Sequence, residues 1–80
     1  MIHVRYFAGA REAAGLAAED VPGPTTPAAL RAALAAAHGQ ALADVLPRCV
    51  LLVAGARTTS DDAPVPDGVT VDVLPPFAGG

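Results

Sequence analysis

Hydrophobic residues along this chain follow two periods, one of two residues and one close to the turn of a helix. Side chains that alternate every second residue fall on opposite faces of a strand, and a short continuous apolar run indicates a buried strand. These patterns predict strands at residues 2–8, 16–21, 49–53, a short arm that begins near Arg57, and 69–74. Pro75 and Pro76 end the last strand, because proline has no N–H to donate to a sheet.

The segment between residues 26 and 39 carries the signals of an α-helix at both ends. Thr26 suits the N-cap, Pro27 the first helical position and Gly39 the C-cap. Apolar residues recur at helical spacing between them, which predicts that one stripe of the helix faces a sheet. The predicted stripe consists of Leu30, Ala33, Leu34 and Ala37.

The order of these elements predicts the fold class. Residues 11–14 add one helical turn that Gly15 closes, and residues 40–47 form a connector, with or without a helical turn. Strands with one main helix packed on one face form a two-layer α+β domain. If the first and last strands lie side by side in the middle of a mixed sheet of four to five strands, the fold is a β-grasp, the ubiquitin-like roll. We expect this domain at residues 1–74 and a flexible tail at 75–80.

The composition limits the classes of function that the chain can have. Of its 80 residues 19 are alanine, which predicts one domain with a small core. The net charge is −3 and the five basic residues, all arginine, are scattered, which disfavours nucleic-acid binding. The apolar runs are too short to cross a membrane, and the first residues lack the apolar core of a signal peptide. With a single cysteine as well, we expect a cytoplasmic protein.

The residues that could carry chemistry by themselves are isolated from one another. His3, His38 and Cys49 lack the spacing of a metal site, so we expect no metal and two ordinary surface or dipole-facing histidines. Cys49 is interpreted as a structural cysteine at the edge of the core, with a nucleophile or persulfide carrier as the alternative. Glu19-Asp20 and Asp61-Asp62 are interpreted as solvated loop charges. We therefore expect no catalytic set within the domain.

The end of the chain carries the strongest functional signal. Gly79 and Gly80 give the most permissive backbone, so a terminal carboxylate there can thread a narrow channel to another protein's chemistry. Pro75 and Pro76 have φ already fixed, which lowers the entropy lost when a tail becomes ordered in a partner. The alternatives are a Gly-Gly end that arose by chance and a Phe77 side chain that folds back onto the core. The residues predicted to thread a partner are Pro75, Pro76, Ala78, Gly79 and Gly80.

Five segments in a fixed order span almost the whole chain. They are residues 7–15 with the pattern F-A-x-x-R-E, then 26–31, 51–55, 67–71 and 75–80. Together they resemble the MoaD/ThiS family of ubiquitin-like sulfur carriers, and more closely the small, sulfur-carrying subunit of molybdopterin synthase. Carriers of the thiamin pathway share the fold and the Gly-Gly end, but they usually lack the F-A-x-x-R-E segment.

This resemblance implies a carrier that is not itself an enzyme and binds no cofactor. An E1-like enzyme would adenylate the Gly80 carboxylate with ATP, through a transient acyl-adenylate with AMP. Sulfur from a persulfide donor would then convert the carboxylate to a thiocarboxylate, which makes the residue 1-thioglycine. The tail would insert into the large subunit of molybdopterin synthase, where the sulfur would pass to cyclic pyranopterin monophosphate for the molybdenum cofactor. Leu74, Phe77 and Phe7 would contact the partner.

Three other functions stay open at this point. The chain can be a sulfur carrier for another product, such as thiamin, cysteine or a thiolated tRNA base, because the partner enzyme chooses the acceptor. It can be a ubiquitin-like modifier that forms isopeptide bonds with target lysines. It can also be a β-grasp binding module with an inert tail.

Overall fold

A five-stranded mixed sheet forms one layer of the protein, in a computed structural model that describes residues 1–58 and 60–76. The strands are β1 (Ile2–Tyr6), β2 (Ala18–Val21), β3 (Val50–Val53), β4 (Ala56–Arg57) and β5 (Thr70–Leu74). They lie side by side in the order β2-β1-β5-β3-β4. β1 and β5 are parallel, whereas the other neighbouring pairs are antiparallel. The predicted β-grasp, with the first and last strands adjacent at its centre, is confirmed.

Alternation along the two central strands decides which face of the sheet is buried. In β1, Val4 and Tyr6 are buried while Arg5, between them, is exposed. β5 continues the pattern, because the register pairs Tyr6 with Val73 and Val73 is fully buried. One face of the sheet therefore packs on the core, and the other face is open to solvent.

Within the described residues, three α-helices share the core with the sheet. They are α1 (Ala8–Ala14), α2 (Pro27–His38) and α3 (Gln40–Val45), and a 3₁₀ turn at Leu46–Arg48 follows the last. Each contributes a fully or nearly fully buried side chain to the same cluster, namely Ala10, Leu30 and Leu42. The predicted single turn before Gly15 is thus a helix of seven residues, and the predicted connector is largely helical. None of these helices has both the length and the apolar character needed to cross a membrane.

α2 begins and ends where its capping residues predict. The Thr26 Oγ1 accepts a hydrogen bond from the Ala29 N–H at 3.2 Å, which satisfies one of the free donors at the start of the helix. Pro27 occupies the first turn and is itself buried. Gly39 follows the last residue with a φ of 90°, in the region that favours glycine.

Only two of the four residues predicted to form the buried stripe of α2 are buried. Leu30 and Leu34 are both 1% exposed. Ala33 and Ala37 are exposed to solvent, however, and Ala35 is half-buried instead. Because alanines lie on both sides of the two leucines, the hydrophobic pattern does not say which neighbouring side turns inward.

The strands are shorter than their patterns predict because turns replace their ends. β1 stops at Tyr6, and the chain enters α1 through Ala8 with a φ of 48°. β4 has only two residues and follows a tight turn of Ala54 and Gly55, whose φ values are 50° and 82°. Two central residues with positive φ are the mark of a type I′ hairpin turn. The other three strands begin one or two residues later than predicted.

The last strand ends where the sequence predicts. β5 stops at Leu74, and Pro75 and Pro76 follow it outside any strand. Residues 77–80 of the predicted tail lie outside the described residues. The division of the chain into a domain at 1–74 and a flexible tail at 75–80 therefore stays a prediction.

Candidate functional site

An apolar groove lies on the open face of the sheet, beside the C-terminal end of β5. Its volume is about 730 Å³. The larger apolar residues that line it are Phe7, Val50, Leu52, Leu74, Pro75 and Pro76. The groove thus lies at the base of the predicted tail.

Strand register brings these lining residues together from distant parts of the chain. β1 and β5 run parallel and so end at the same edge of the sheet, where the Phe7 N–H donates to the Val73 carbonyl at 3.1 Å. β3 adds the other side of the groove, because its register pairs Val50 with Leu74. Phe7 and Leu74, two of the three residues predicted to contact a partner, are therefore neighbours in one groove. The third, Phe77, lies outside the described residues.

The structure locates two of the five residues predicted to thread a partner. Pro75 is half-buried and Pro76 is exposed, and both line the groove. Ala78, Gly79 and Gly80 lie outside the described residues. The roles assigned to all of these residues in contacting or entering a partner stay predictions.

The groove exposes apolar surface that a small domain would otherwise bury. Phe7 is 38% exposed, which makes it, with Met1, one of the two large apolar side chains in the described residues that face solvent. Leu74 is half-buried on the same face. Apolar surface gathered in one place, rather than scattered, is typical of a binding surface.

Two of the lining residues, Val50 and Leu52, were not predicted as site residues. The continuous apolar run at 49–53 predicts a strand that is buried on both faces, but in β3 only Leu51 is fully buried. The run is continuous because one face of β3 packs on the core while the other lines the groove. The predicted two-layer fold, with its helix on one face of the sheet, was the signal that could have identified this second apolar face as a candidate surface.

Two arginines were also missed as groove residues. Arg57 of β4 lines the groove beside Leu52, its partner in the sheet register. Arg5 of β1 borders it, because its guanidinium carbon lies 5.6 Å from the centre of the Phe7 ring. Asp72 binds the same guanidinium, and its hydrogen bond and charge raise the pKa of Arg5 above the ordinary value. The charge of Arg5 is therefore permanent, and it is already paired with Asp72.

The F-A-x-x-R-E segment is divided between this groove and a neighbouring depression. Phe7 and Ala8 line the groove. Arg11 and Glu12 line a shallower depression of about 530 Å³, which shares Ala8 with the groove. The sharp turn at Ala8 thus places the aromatic residue of the segment on the sheet and its two charges on α1 beside it.

A polar cluster on the opposite, helix-covered face corrects two sequence interpretations. Glu19 is not a solvated loop charge but a half-buried residue of β2, and its Oε2 accepts a hydrogen bond from the Tyr6 hydroxyl at 2.6 Å. His38 is also largely buried, contacts the same oxygen through Nε2, and meets the Tyr6 ring edge-on with centroids 6.0 Å apart. Burial, and then Glu19, raise the pKa of Tyr6, so its hydroxyl stays a neutral donor. The cluster joins β1, β2 and the end of α2.

Cys49 occupies a structural position, as predicted. Its side chain is 5% exposed, and its thiol donates to the Val45 carbonyl at 3.3 Å. Burial raises the pKa of the thiol, although Arg31 and Arg48 oppose this effect. A buried thiol with a raised pKa is a poor nucleophile.

Other titratable residues lie at the surface, and some of them form pairs. His3 contacts Asp20 at 2.8 Å on the open face of the sheet, and Asp61 lies 3.5 Å from Arg31. Asp62 is exposed, as predicted. Within residues 1–58 and 60–76, no three histidine, cysteine, aspartate or glutamate side chains gather into a group that could hold a metal ion.

The apolar groove at the edge of a β-grasp sheet can be compared with known proteins. The family model of the ThiS family matches residues 4–80. The chain belongs to the ThiS family. The resemblance to ubiquitin-like sulfur carriers is thereby confirmed at the level of the family.

Several solved structures with the same fold come from archaea. SAMP1 from Haloferax volcanii is 27% identical with a TM-score of 0.75, and the match covers 99% of this chain and 98% of that one. The HVO 2177 protein of the same organism is 27% identical with a TM-score of 0.79, covering 99% of this chain and 85% of that one. A putative molybdopterin converting factor subunit 1 from Pyrococcus furiosus is 23% identical with a TM-score of 0.74 over 95% and 97% of the two chains, which shows the fold. None of the curated proteins compared with the chain matches it.

These comparisons define the coarse class of the protein. It has the small ubiquitin-like fold of sulfur carriers and protein modifiers, a fold that typically does no catalysis by itself. Family membership implies that it acts through partner enzymes. The groove is the surface of the described residues best suited to such a partner.

Neighbouring leucines of β3 test whether the groove is a binding surface rather than part of the core. Leu51 is fully buried, so Leu51→Ala should lower the free energy of unfolding by about 2–5 kcal/mol. Leu52 is half-buried in the groove, so Leu52→Ala should lower it by less than about 1 kcal/mol. Urea denaturation followed by circular dichroism measures both. Equal losses for the two variants would show that the groove residues are needed for folding.

Proposed function

We propose that this chain is a sulfur carrier for molybdopterin biosynthesis, the small subunit of a molybdopterin synthase. Its Gly80 carboxylate is adenylated, converted to a thiocarboxylate and used as the sulfur donor. The observation that carries the proposal is the apolar groove at the base of the tail, formed by the ends of the two central strands. ThiS family membership and the F-A-x-x-R-E segment at 7–12 support it.

The proposed chemistry takes place at the end of the chain and not in the folded domain. A carboxylate oxygen attacks the α-phosphate of ATP, and pyrophosphate leaves. The terminal sulfur of a persulfide then attacks the acyl carbon, AMP leaves, and cleavage of the sulfur–sulfur bond by a second thiol releases the thiocarboxylate. A thiocarboxylate is a better nucleophile than a carboxylate, so the activation makes the tail a usable sulfur donor. Gly80 is then 1-thioglycine, and no cofactor stays bound.

The groove suits the requirement that the partners hold the domain while the tail reaches their active sites. A fully extended chain spans about 3.3–3.6 Å per residue, so residues 75–80 reach at most about 20 Å from the end of β5. A partner that binds Phe7 and Leu74 therefore has its reactive groups within that distance of the groove. Phe77, three residues after Leu74 in the sequence, would add to the same contact.

Three partners follow from the proposal. An E1-like adenylating enzyme supplies ATP chemistry, a persulfide donor supplies sulfur, and the large subunit of molybdopterin synthase supplies the residues that act on cyclic pyranopterin monophosphate. The first and last of these bind the folded carrier. Because their binding sites use the same groove, they take turns on it.

Removing the two terminal glycines tests the proposed acceptor. A native cell that carries the chain without Gly79 and Gly80 should lose molybdenum-enzyme activity, because no carboxylate remains in position for activation. It should keep growing without added thiamin. Cys49→Ser is the matched control and should keep molybdenum-enzyme activity. Loss of thiamin synthesis instead would identify a thiamin carrier, and unchanged growth and activity would identify an inert tail.

A second candidate function, protein modification, is favoured by the likeness to SAMP1, which is described as a small archaeal modifier protein. The same adenylated tail would then be attacked by the amine of a target lysine. The chain has no lysine, since its five basic residues are all arginine. Any lysine-linked adduct must therefore lie on another protein.

A search for such adducts separates the modifier from the carrier. The last arginine is Arg57, so trypsin would leave residues 58–80 attached to each modified lysine. Mass spectrometry of trypsin-digested extracts from the native cell measures these branched peptides. If the chain acts as a sulfur carrier alone, they should be absent at normal sulfur supply. Abundant branched peptides on many proteins would favour the modifier.

A further inference from the structure

We propose that Arg5 is a positioning residue for the groove, because Asp72 fixes its guanidinium and the guanidinium in turn holds the Phe7 ring as the groove's aromatic wall. The proposal rests on the proposed function in one respect only, that the activating enzyme binds this groove. Its first experiment needs no partner.

The pairing of the two central strands brings Arg5 and Asp72 together. Arg5 of β1 and Asp72 of β5 are register partners, so their side chains leave adjacent strands on the same open face. The Arg5 Nε donates to Asp72 Oδ1 at 2.6 Å, and an Arg5 terminal nitrogen donates to Oδ2 at 2.9 Å. Two parallel hydrogen bonds of this kind fix the plane of a guanidinium, which one bond does not.

The fixed guanidinium lies against the aromatic ring. Its central carbon is 5.6 Å from the centre of the Phe7 ring, within the range of a cation–π contact. Phe7 directly follows β1, two residues after Arg5, and its backbone is still extended, so its side chain lies on the same face. Asp72 is only 15% exposed on its side chain, whereas Arg5 is 49% exposed, so the carboxylate anchors the pair from below and the guanidinium reaches across the surface.

The contact matters because Phe7 has few other restraints. It follows the last residue of β1, and the chain turns sharply away at Ala8, whose φ is 48°. With 38% of its surface exposed, the ring lacks the packing on all sides that holds a core side chain. A ring that is already in place when a partner arrives loses less entropy on binding than a free one.

The arrangement also limits what a partner must supply at this point. The charge of Arg5 is met by Asp72 within the chain, so the partner needs an apolar group over Phe7 and no opposing carboxylate for Arg5. Lysine at position 5 would not reproduce the arrangement, because an ammonium lacks the planar fork that binds both carboxylate oxygens and stacks on the ring.

Nuclear magnetic resonance on the free chain tests the positioning directly. The side-chain protons of Arg5 should show ring-current shifts and close contacts to the Phe7 ring. In Asp72→Asn both signals should be largely lost, because the guanidinium is no longer fixed, while the amide resonances of α2 stay unchanged and report an intact fold. If the Arg5–Phe7 contacts persist in Asp72→Asn, Asp72 does not fix the guanidinium and the proposal is wrong.

Adenylation kinetics test the consequence for binding. With the E1-like enzyme encoded in the same genome, ATP–pyrophosphate exchange gives KM and kcat for the carrier. Arg5→Gln should raise KM by about two- to fivefold with kcat unchanged, the ratio that corresponds to an exposed cation–π contact. Arg48→Gln, at an exposed arginine of the 3₁₀ turn that does not line the groove, should leave both values unchanged.

A second background separates positioning from direct contact. In Phe7→Leu the ring is gone, so adding Arg5→Gln should not raise KM further. If Arg5→Gln raises KM equally in the wild-type and Phe7→Leu backgrounds, Arg5 contacts the enzyme itself. If it raises KM in neither background, Arg5 neither positions the ring nor contacts the enzyme. Either result overturns the proposal. If the enzyme adenylates none of the chains, wild type included, the proposed function fails, and the resonance experiment still decides the role of Arg5.

Discussion

The parallel pairing of β1 with β5 is the interaction on which the rest of the structure depends. It joins the two ends of the domain at the centre of the sheet and closes almost the whole chain into a loop, so its entropy cost must be met by burial. On the core face it packs Val4 and Tyr6 beside Val71 and Val73, all nearly or completely buried. On the open face the same register sets Arg5 beside Asp72 and brings Phe7 next to the end of β5. Core and groove are therefore two faces of one pairing.

Separation of the two faces explains how a small domain can hold both a core and a binding surface. The helices cover one face, and on that face even the charged Glu19 has partners, in Tyr6 and His38. The other face is left open, with an ion pair in its middle and apolar residues at the edge where β5 ends. A partner that occupies the groove covers apolar surface without disturbing the core. In the proposed function the tail is delivered from a fixed point, since β5 itself is held between two neighbouring strands.

The sequence predicted those parts of the fold for which local chemistry has one answer. Period-two alternation predicted the central strands, and Thr26, Pro27 and Gly39 predicted the limits of α2 to within one residue. The prediction failed where two arrangements suit the residues equally well. Alanines lie on both sides of Leu30 and Leu34, so the sequence does not show which side of α2 faces the core. At 40–45 the sequence indicated no more than a single helical turn, because the pattern there is short. The role of Glu19 depends on a histidine that only the fold brings near. For the site, the two prolines could be predicted from their own chemistry, and Phe7 and Leu74 from the resemblance. Val50 and Leu52 were missed, because the apolar run by itself does not reveal that one of its faces stays uncovered; only together with a helical layer on one side of the sheet does it point to them.

In the proposed function the reactive group of this protein is its own last carboxylate, and the folded domain is its carrier. The intact mass of the protein purified from its native cell tests this claim most directly. We predict a population in which one oxygen is replaced by sulfur, with fragmentation placing the exchange at Gly80. A sulfur adduct on Cys49, or a single unmodified mass under conditions in which the cell makes its molybdenum cofactor, would contradict the account.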